Sequence, residues 1–213
     1  MLYAMGSTTD WEAWHADYAD PTSMLSERLR VVQGHIDRWL DSTAPAPVTI
    51  VSSCAGDGRD LLDVLHRRPD SARVRATLIE SDPRNADRAR QRTGGLDVLV
   101  KRADAGTTDA YVDAVPADLV LLCGIFGNIS DADVEGTVNA APSFCRPNAL
   151  VLWTRHRKEP DLTPRIRGWF AAAGFAEEDF TTPEHGIWSV GAHRYTGPPA
   201  PLVPGRRLFT FVR

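Results

Sequence analysis

Hydrophobic positions in this chain follow two successive patterns, a helical one before residue 45 and an alternation of strands and helices after it. Spacings of three and four residues predict one long amphipathic helix whose apolar face consists of Leu25, Leu29, Val32, Ile36 and Trp39. Thr22 or Ser23 is expected to cap this helix at its N-terminus. A shorter helix is expected over residues 10–19, because Pro21 disfavours a helical conformation at Asp20.

From residue 48 onward, short apolar strands alternate with helical segments. The strands are predicted at 48–53, 75–81, 96–100, 117–123 and 148–154. Helices are predicted near 57–67, from Pro83, at 107–115, near 130–141 and near 161–173. Strands with continuous apolar runs, separated by helices, are typical of a parallel sheet covered by helices on both faces.

Two further strands are predicted at 185–195 and 206–213, joined by a segment rich in glycine and proline. They have no helix between them, so they should pair antiparallel at one edge of the sheet. The expected fold class is therefore α/β, a doubly wound, seven-stranded, mostly parallel sheet with an antiparallel C-terminal hairpin.

The composition fits one ordinary globular domain. The chain has 213 residues, of which 43% are hydrophobic and 24% charged. Its three cysteines lack the spacing of a disulfide framework or of a metal site, so no metal is predicted and a reducing, cytoplasmic location is expected. Neither a secretory signal nor a membrane-spanning segment is visible in the sequence.

Charge argues against nucleic acid as a partner. The 24 basic and 28 acidic side chains give a net charge of −4, and the acidic excess falls within residues 1–44. A protein that tracks phosphates needs a basic stripe, and none is apparent.

Candidate ligand-binding residues follow the first four strands, where sheets of this kind bind ligands. The turn 54–58 contains Gly56 and Gly58 and leads into a helix, so its backbone can approach a ligand closely. Glu80 can accept hydrogen bonds from ribose hydroxyls, and Asp104 can accept one from an exocyclic amine. The apolar segment 123–126 can cover a flat base. Together these positions predict an adenosine-type ligand.

A nicotinamide dinucleotide is the competing ligand. Its fingerprint is G-x-G-x-x-G, and counting from Gly56 places Leu61 where the third glycine should stand. The sequence therefore disfavours a dinucleotide.

Residues 48–62, with Glu80, Asp104 and the segment after the fourth strand, resemble class I S-adenosylmethionine-dependent methyltransferases. The resemblance extends over about 48–213 and implies a Rossmann-like methyltransferase fold, with S-adenosyl-L-methionine as cofactor and S-adenosyl-L-homocysteine as product. Where the family has an acid and a first glycine, this chain has Ser52 and Cys54. We expect the cysteine to force a more ordinary backbone conformation there.

The resemblance implies a set of cofactor contacts at the ends of the first four strands. They are Ser53, Cys54, Ala55, Gly56, Asp57, Gly58, Glu80, Ser81, Asp104, Ala105, Cys123, Gly124 and Ile125. Tyr18 and Arg28 are expected to reach the methionine end of the cofactor, Arg28 by pairing with its carboxylate.

The methyl acceptor is expected to be a small molecule. The segment 123–126 is not the [DN]-P-P-[FWY] motif of amino-methyltransferases that act on DNA bases, and no Pro-Cys nucleophile is present. His156 follows the fifth strand and is the candidate general base. Candidate acceptor contacts are Trp14, Phe126, Asn128 and His193.

Residues 1–45 are interpreted as a helical lid that determines acceptor specificity, and 46–213 as the cofactor-binding domain. Trp11, Trp14 and Tyr18 could cover the pocket, or they could simply attach their helix to the core. A catalytically silent cofactor-binding regulator or scaffold is the main alternative function, and an RNA methyltransferase is disfavoured by the charge. A monomer or a homodimer is expected.

Overall fold

A computed structural model describes residues 20, 22–184 and 186–212 of the chain. The helices are α1 (Met24–Thr43), α2 (Arg59–Arg67), α3 (Pro83–Arg92), α4 (Asp131–Ala140) and α5 (Thr163–Ala172). The strands are β1 (Val48–Ser53), β2 (Val74–Glu80), β3 (Val98–Arg102), β4 (Ala117–Leu122), β5 (Cys145–His156), β6 (Phe175–Thr181) and β7 (Trp188–Tyr195). The segment predicted as a helix at 107–115 contains only a 3₁₀ turn, Thr108–Tyr111.

The strands form one seven-stranded sheet in the order β3-β2-β1-β4-β5-β7-β6. The first five strands run parallel, and β7 pairs antiparallel with both β5 and β6. Strands β1 and β4 are almost completely buried, as their continuous apolar sequences predicted. The doubly wound, mostly parallel fold with an antiparallel C-terminal hairpin is confirmed. Among the residues that the structure describes, none of the helices combines the length and apolar character needed to cross a bilayer.

Helix α1 is part of the same hydrophobic core as the sheet. Its N-cap is Ser23, whose side chain accepts a hydrogen bond from the backbone amide of Ser26. Its apolar face, including Ile36 and Leu40 at 0% exposure, packs in one cluster with residues of α2 and β7. The amphipathic helix is thus present as predicted. The shorter helix expected over 10–19 lies outside the described residues.

One strand of the terminal hairpin, β7, is the one predicted at 185–195, whereas the other strand differs from the prediction. Strand β6 (Phe175–Thr181) pairs with β7, whereas residues 206–212 form no strand of the sheet. The sequence did not predict β6, because the Glu and Asp residues in its middle are of types that are depleted in strands. At the edge of a sheet, however, charged side chains are suitable. Arg167 binds Glu177 at 2.6 Å, and Arg194 binds Glu178 at 2.8 Å.

Residues 205–212, named here the C-terminal segment, instead cross the carboxyl ends of the strands. The amide of Leu208 donates to the carbonyl of Gly106 at 2.8 Å, and the amide of Val212 donates to that of Asn128 at 2.9 Å. The segment therefore joins the connection after β3 to the connection after β4. Its alternating apolar pattern, which predicted a strand, instead buries Leu208 and Phe209 in the core.

Candidate functional site

Two adjacent cavities lie where the parallel strands end. The first, of about 350 Å³, lies between α1, the turn after β1 and the end of β2. The second, of about 300 Å³, lies between the start of α1, the connection after β4 and the end of β5. Both are lined by Arg28, Gly124 and Thr154, so the two cavities adjoin at these residues.

The turn after β1 forms the floor of the first cavity. Cys54, Ala55, Gly56 and Asp57 line this cavity. Cys54 has φ +51°, Gly56 +58° and Gly58 +76°, so all three residues are in the left-handed region. The expectation of a more ordinary backbone at Cys54 is wrong, because the cysteine adopts the conformation that glycine would favour there. The resulting tight turn directs the chain from β1 straight into α2.

Glu80 holds this turn against the end of β2. One oxygen of its carboxylate accepts a hydrogen bond from the amide of Gly56 at 2.7 Å, and the other accepts one from the amide of Asp82 at 2.8 Å. The residue is only 7% exposed, and burial raises the pKa of its carboxyl, although both amides counteract that effect. Glu80 lines the first cavity, as does Ser81.

The first cavity has a predominantly acidic lining. Its four carboxylates and two guanidinium groups are Asp57, Asp60, Glu80, Asp82, Arg28 and Arg59. Asp57 pairs with Arg59 at 2.6 Å and with Arg92 at 3.0 Å. Burial alone would raise the pKa of Asp57, but hydrogen bonds from Arg59 and the charges of both arginines outweigh it and lower that pKa.

Asp60 and Arg28 interact electrostatically across the cavity. Burial raises the pKa of Asp60, and the positive charge of Arg28 opposes this shift. Arg28 belongs to α1, whereas Asp60 lies in the first turn of α2. The cavity therefore has a cationic group facing it from one helix and an anionic group facing it from the other.

The end of β4 supplies only part of the wall predicted for it. Cys123 and Gly124 line the first cavity, and the amide of Gly124 donates to the hydroxyl of Thr154 at 2.8 Å. Ile125 and Phe126 are fully buried, and Phe126 packs against Trp153 with ring centroids 5.9 Å apart. Ile125 and Phe126 line neither cavity, because their apolar side chains turn into the core.

Asp104 does not enter the first cavity. Its carboxylate binds Arg207 of the C-terminal segment at 2.6 Å and accepts a hydrogen bond from the amide of Gly106 at 2.8 Å. Ala105 is 3% exposed and belongs to the core. The carboxylate of Asp104 is thus engaged in an ion pair, and its predicted contact with an exocyclic amine stays a prediction. From the same segment, Phe211 lines the cavity instead.

The second cavity combines apolar walls with basic groups. Its apolar lining consists of Met24, Leu25, Ile187 and Trp188, and its basic lining of Arg28, Arg155, His156 and Lys158. Asn128 also lines this cavity and donates to the carbonyl of Gly124 at 2.8 Å. Among the residues that the structure describes, the lining contains no Asp or Glu. His156, the predicted general base, and Asn128, a predicted acceptor contact, thus line the same cavity.

The imidazole of His156 has a defined orientation. Its Nδ1 accepts a hydrogen bond from the backbone amide of Lys158 at 3.3 Å. An acceptor Nδ1 means that the proton of the neutral ring is on Nε2. This Nε2 atom is buried, and the role of His156 as general base stays a prediction.

Several predicted site residues lie elsewhere. His193 is 1% exposed, accepts a hydrogen bond from the indole of Trp153 at 3.1 Å and stacks on Phe170 at 4.5 Å. It lines neither cavity, because β7 places its side chain inside the core. The hydroxyl of Ser53 is likewise buried and accepts from Tyr111. Trp14 and Tyr18 lie outside the described residues.

Sequence reasoning missed several residues of the two linings. They are Met24, Leu25, Leu29, Val32, Arg59, Asp60, Asp82, Asn85, Gly127, Thr154, Arg155, Lys158, Ile187, Trp188 and Phe211. A wider application of the strand-end rule would have found Thr154 on β5 and Asp82 after β2. The local sequence did not indicate that Phe211 lines a cavity, because the apolar and polar residues around it alternate as they do in an edge strand.

Comparisons with known proteins rest on structure alone, since no family model and no curated protein sequence matches the chain. An O-methyltransferase family protein from Burkholderia thailandensis is 18% identical, with TM-score 0.65, and the match covers 88% of this chain and 61% of that protein. The chain therefore spans less than two thirds of that protein's length.

Two enzymes of similar length also match. The magnesium protoporphyrin IX methyltransferase of Synechocystis PCC 6803, with bound S-adenosylhomocysteine, is 12% identical, and the match covers 89% of this chain and 95% of that one at TM-score 0.63. The Burkholderia thailandensis 1,6-didemethyltoxoflavin-N1-methyltransferase, with bound 1,6-didemethyltoxoflavin and S-adenosylhomocysteine, is 15% identical, with coverages of 92% and 94% and TM-score 0.60. The chain has the Rossmann-like fold of class I S-adenosylmethionine-dependent methyltransferases.

Proposed function

We propose that this protein is an S-adenosylmethionine-dependent methyltransferase, which transfers a methyl group to a small-molecule acceptor by in-line displacement. The main supporting observation is the pair of cavities that share Arg28, Gly124 and Thr154. A methyl donor in the first and an acceptor in the second would meet at this shared boundary. Alignment of two reactants in this way can itself supply much of the rate acceleration.

The residues of the first cavity fit the proposed cofactor. S-adenosylmethionine supplies an electrophilic methyl group on a sulfonium, and it also carries an ammonium, a carboxylate and a ribose. The acidic lining suits its net positive charge. Glu80 uses one hydrogen bond at each oxygen to hold the protein backbone, which leaves further acceptor capacity for ribose hydroxyls. Arg28 is the residue proposed to bind the carboxylate.

The chain's own residues act by orienting the reactants. The left-handed turn at Cys54, Gly56 and Gly58 brings backbone close to the first cavity. Thr154 fixes the amide of Gly124 at the boundary, and Asn128 fixes its carbonyl. These two bonds hold the backbone of Gly124 in place, and because Gly124 has no side chain, this backbone can lie close to both reactants.

The N-terminal segment is proposed to determine acceptor specificity. Met24, Leu25 and Arg28 of α1 line the second cavity, and residues 1–19 precede this helix in the sequence, with residues 20–23 between them. We propose that Trp14 and Tyr18 complete the pocket. Deletion of residues 1–19 should then impair acceptor turnover and leave the thermal midpoint of unfolding nearly unchanged. Normal acceptor turnover by the truncated protein would contradict the proposal that the N-terminal segment is a lid. The cytoplasmic location and the monomeric or homodimeric state stay predictions.

Isothermal titration with S-adenosylmethionine and S-adenosylhomocysteine tests the proposed function, with NAD as the competing ligand. Both sulfur ligands should bind, and Glu80→Ala should weaken that binding by about 1–3 kcal/mol. Glu178→Ala is the matched control, since Glu178 is an exposed carboxylate of β6. Binding of NAD alone, or equal effects of the two substitutions, would overturn the proposal. Cofactor binding without turnover on a broad acceptor panel would favour a scaffold instead.

A further inference from the structure

Three of the four carboxylates that line the first cavity bind donors of the protein itself. Asp57 pairs with two arginines at 2.6 and 3.0 Å, and Glu80 accepts from two backbone amides at 2.7 and 2.8 Å. Asp82 is the N-cap of α3 and accepts from two backbone amides at 2.8 and 3.0 Å. The positions of these three carboxylates are therefore explained by the local structure alone.

Asp60 is the fourth carboxylate of this lining, and it differs from the other three. Its side chain is half-buried, and within the described part of the chain no group donates a hydrogen bond to it or pairs with it at ion-pair distance. Burial raises the pKa of its carboxyl, and the charges of Arg28 and Arg59 offset this shift only in part. A carboxylate that is partly removed from water and lacks a donor is costly. A cationic donor on a ligand would therefore bind favourably to Asp60.

Asp60 lies on the side of the first cavity that adjoins the second. It belongs to the first turn of α2, and its charge acts on the thiol of Cys123, which lines the same cavity just after β4. Burial raises the pKa of this thiol, Asp60 raises it further, and Arg28 opposes the shift. Arg28 and Gly124, the residue after Cys123, also line the second cavity. The three groups thus share one corner of the first cavity.

The ammonium at the amino-acid end of the proposed cofactor is the donor that suits this carboxylate. Near the end of β1, where a carboxylate could serve the same purpose, Ser52 is 5% exposed and lines neither cavity. Resting on the proposed function, we propose that Asp60 binds the ammonium group of S-adenosylmethionine. With Arg28 proposed for the cofactor's carboxylate, the two charged groups of the amino acid would meet opposite charges from two different helices.

Two analogues of S-adenosylhomocysteine test this assignment, a deamino analogue that lacks the ammonium and a decarboxy analogue that lacks the carboxylate. Isothermal titration at neutral pH measures the affinity of each. The wild-type protein should bind S-adenosylhomocysteine about tenfold or more tightly than the deamino analogue, because the charge-assisted hydrogen bond is lost. Asp60→Asn should reduce this preference to about threefold or less. It should weaken binding of the decarboxy analogue by the same factor as that of S-adenosylhomocysteine, since both carry the ammonium.

Asp63→Asn is the matched control for this substitution. Asp63 lies one turn further along α2, carries the same charge and does not line the first cavity. This variant should preserve the preference for S-adenosylhomocysteine over the deamino analogue. An equal fall of the preference in both variants would mean that the general charge of α2 causes it, and would overturn the assignment of Asp60.

The two proposals fail in different ways. Absence of S-adenosylhomocysteine binding to the wild-type protein would contradict the proposed function. If the wild-type protein binds S-adenosylhomocysteine but does not prefer it to the deamino analogue, only the assignment of Asp60 is overturned. A preference that is unchanged in Asp60→Asn would likewise overturn that assignment and leave the proposed function intact.

Discussion

The carboxylate of Glu80 accepts a hydrogen bond of 2.7 Å from the backbone amide of Gly56, which ties the end of β2 to the turn after β1. The same carboxylate accepts from the amide of Asp82 at 2.8 Å. Glu80 therefore stabilises the floor of the first cavity. In the proposed function, one side chain both shapes the cofactor site and contacts the ribose.

Glu80→Gln should reduce the free energy of unfolding by about 1–3 kcal/mol, because an amide group cannot accept both backbone hydrogen bonds. Urea unfolding at neutral pH measures this change. Glu178→Gln is the control, since it breaks only an exposed ion pair with Arg194 and should cost less than about 1 kcal/mol. Equal losses in the two variants would show that the Glu80 bonds do not stabilise the turn.

Gly58→Ala should be strongly destabilising. A Cβ atom at Gly58 would lie 2.7 Å from Leu62 Cδ1 and 2.8 Å from Leu78 Cδ1, and the residue has φ +76°. Gly95→Ala is a matched control, because its φ is +80° and a Cβ there has no neighbour within 4 Å. We expect about 1 kcal/mol for Gly95→Ala from the backbone alone, and roughly 2 kcal/mol more for Gly58→Ala from crowding. Similar unfolding free energies would contradict this explanation.

Cys54 offers a test of backbone strain at the site. With φ +51°, it adopts a conformation that costs a non-glycine residue about 1 kcal/mol or more. Cys54→Gly should therefore be neutral or stabilising by up to about 1 kcal/mol, after the added freedom of the unfolded chain is included. Cys54→Val should be destabilising, since a β-branched residue tolerates positive φ poorly. Thermal and urea unfolding give both values, and a valine variant as stable as the glycine variant would refute the idea.

His193 should make the protein sensitive to mild acid. Burial lowers the pKa of its imidazole to about 4, from a usual value near 6.5, with Glu177 opposing the shift. Between these two values the unfolded chain binds the extra proton, so the free energy of unfolding rises with pH. The contribution is complete above about pH 6.5 and is lost progressively toward pH 4, by roughly 3 kcal/mol in total.

His193→Gln isolates this effect, since glutamine can still accept the hydrogen bond from Trp153 and does not titrate. The variant should be less stable at pH 7 but should lose less stability between pH 6.5 and 4. Urea unfolding at half-unit pH intervals provides the slopes. An unchanged slope would mean that other groups cause the acid sensitivity.

Phe211 should contribute to ligand affinity more than to stability. It lines the first cavity and is 39% exposed, with its ring 5.5 Å from that of Phe209. Phe211→Ala should weaken S-adenosylhomocysteine binding about two- to tenfold, as expected for loss of one aromatic contact. Val203→Ala is the control, because Val203 is 44% exposed and does not line the cavity. Equal affinities of the two variants for S-adenosylhomocysteine would show that Phe211 does not contact the ligand.

Periodic apolar patterns predicted most of the fold. The helix α1 and strands such as β1 and β4 have buried faces that repeat at helical spacing or run continuously. Strand β6 was not predicted, because Glu177, Glu178 and Asp179 interrupt its apolar pattern. Their stabilising partners, including Arg167 and Arg194, come from other elements and leave no trace in the local sequence.

The candidate site was predictable where it depends on strand ends. Glu80, Gly56 and Gly124 follow buried strands and line the first cavity. Asp104 also follows a strand, but Arg207 binds it from 103 residues further along the chain. No local rule shows which of two plausible partners, a ligand or a distant arginine, such a carboxylate meets. The same long-range placement explains why Phe211 was not expected in the cavity.

The position of the C-terminal segment has a consequence for synthesis of the protein on the ribosome. All seven strands precede residue 196, whereas residues 205–212 are translated later and close one side of the first cavity. Since domains can begin folding during elongation, the parallel strands β1–β4 can assemble before Phe211 has emerged. A nascent chain would then possess the β1 turn and Glu80 but an incomplete cavity wall. Full ligand affinity would arise only after the C-terminal segment had reached the carboxyl ends of the strands.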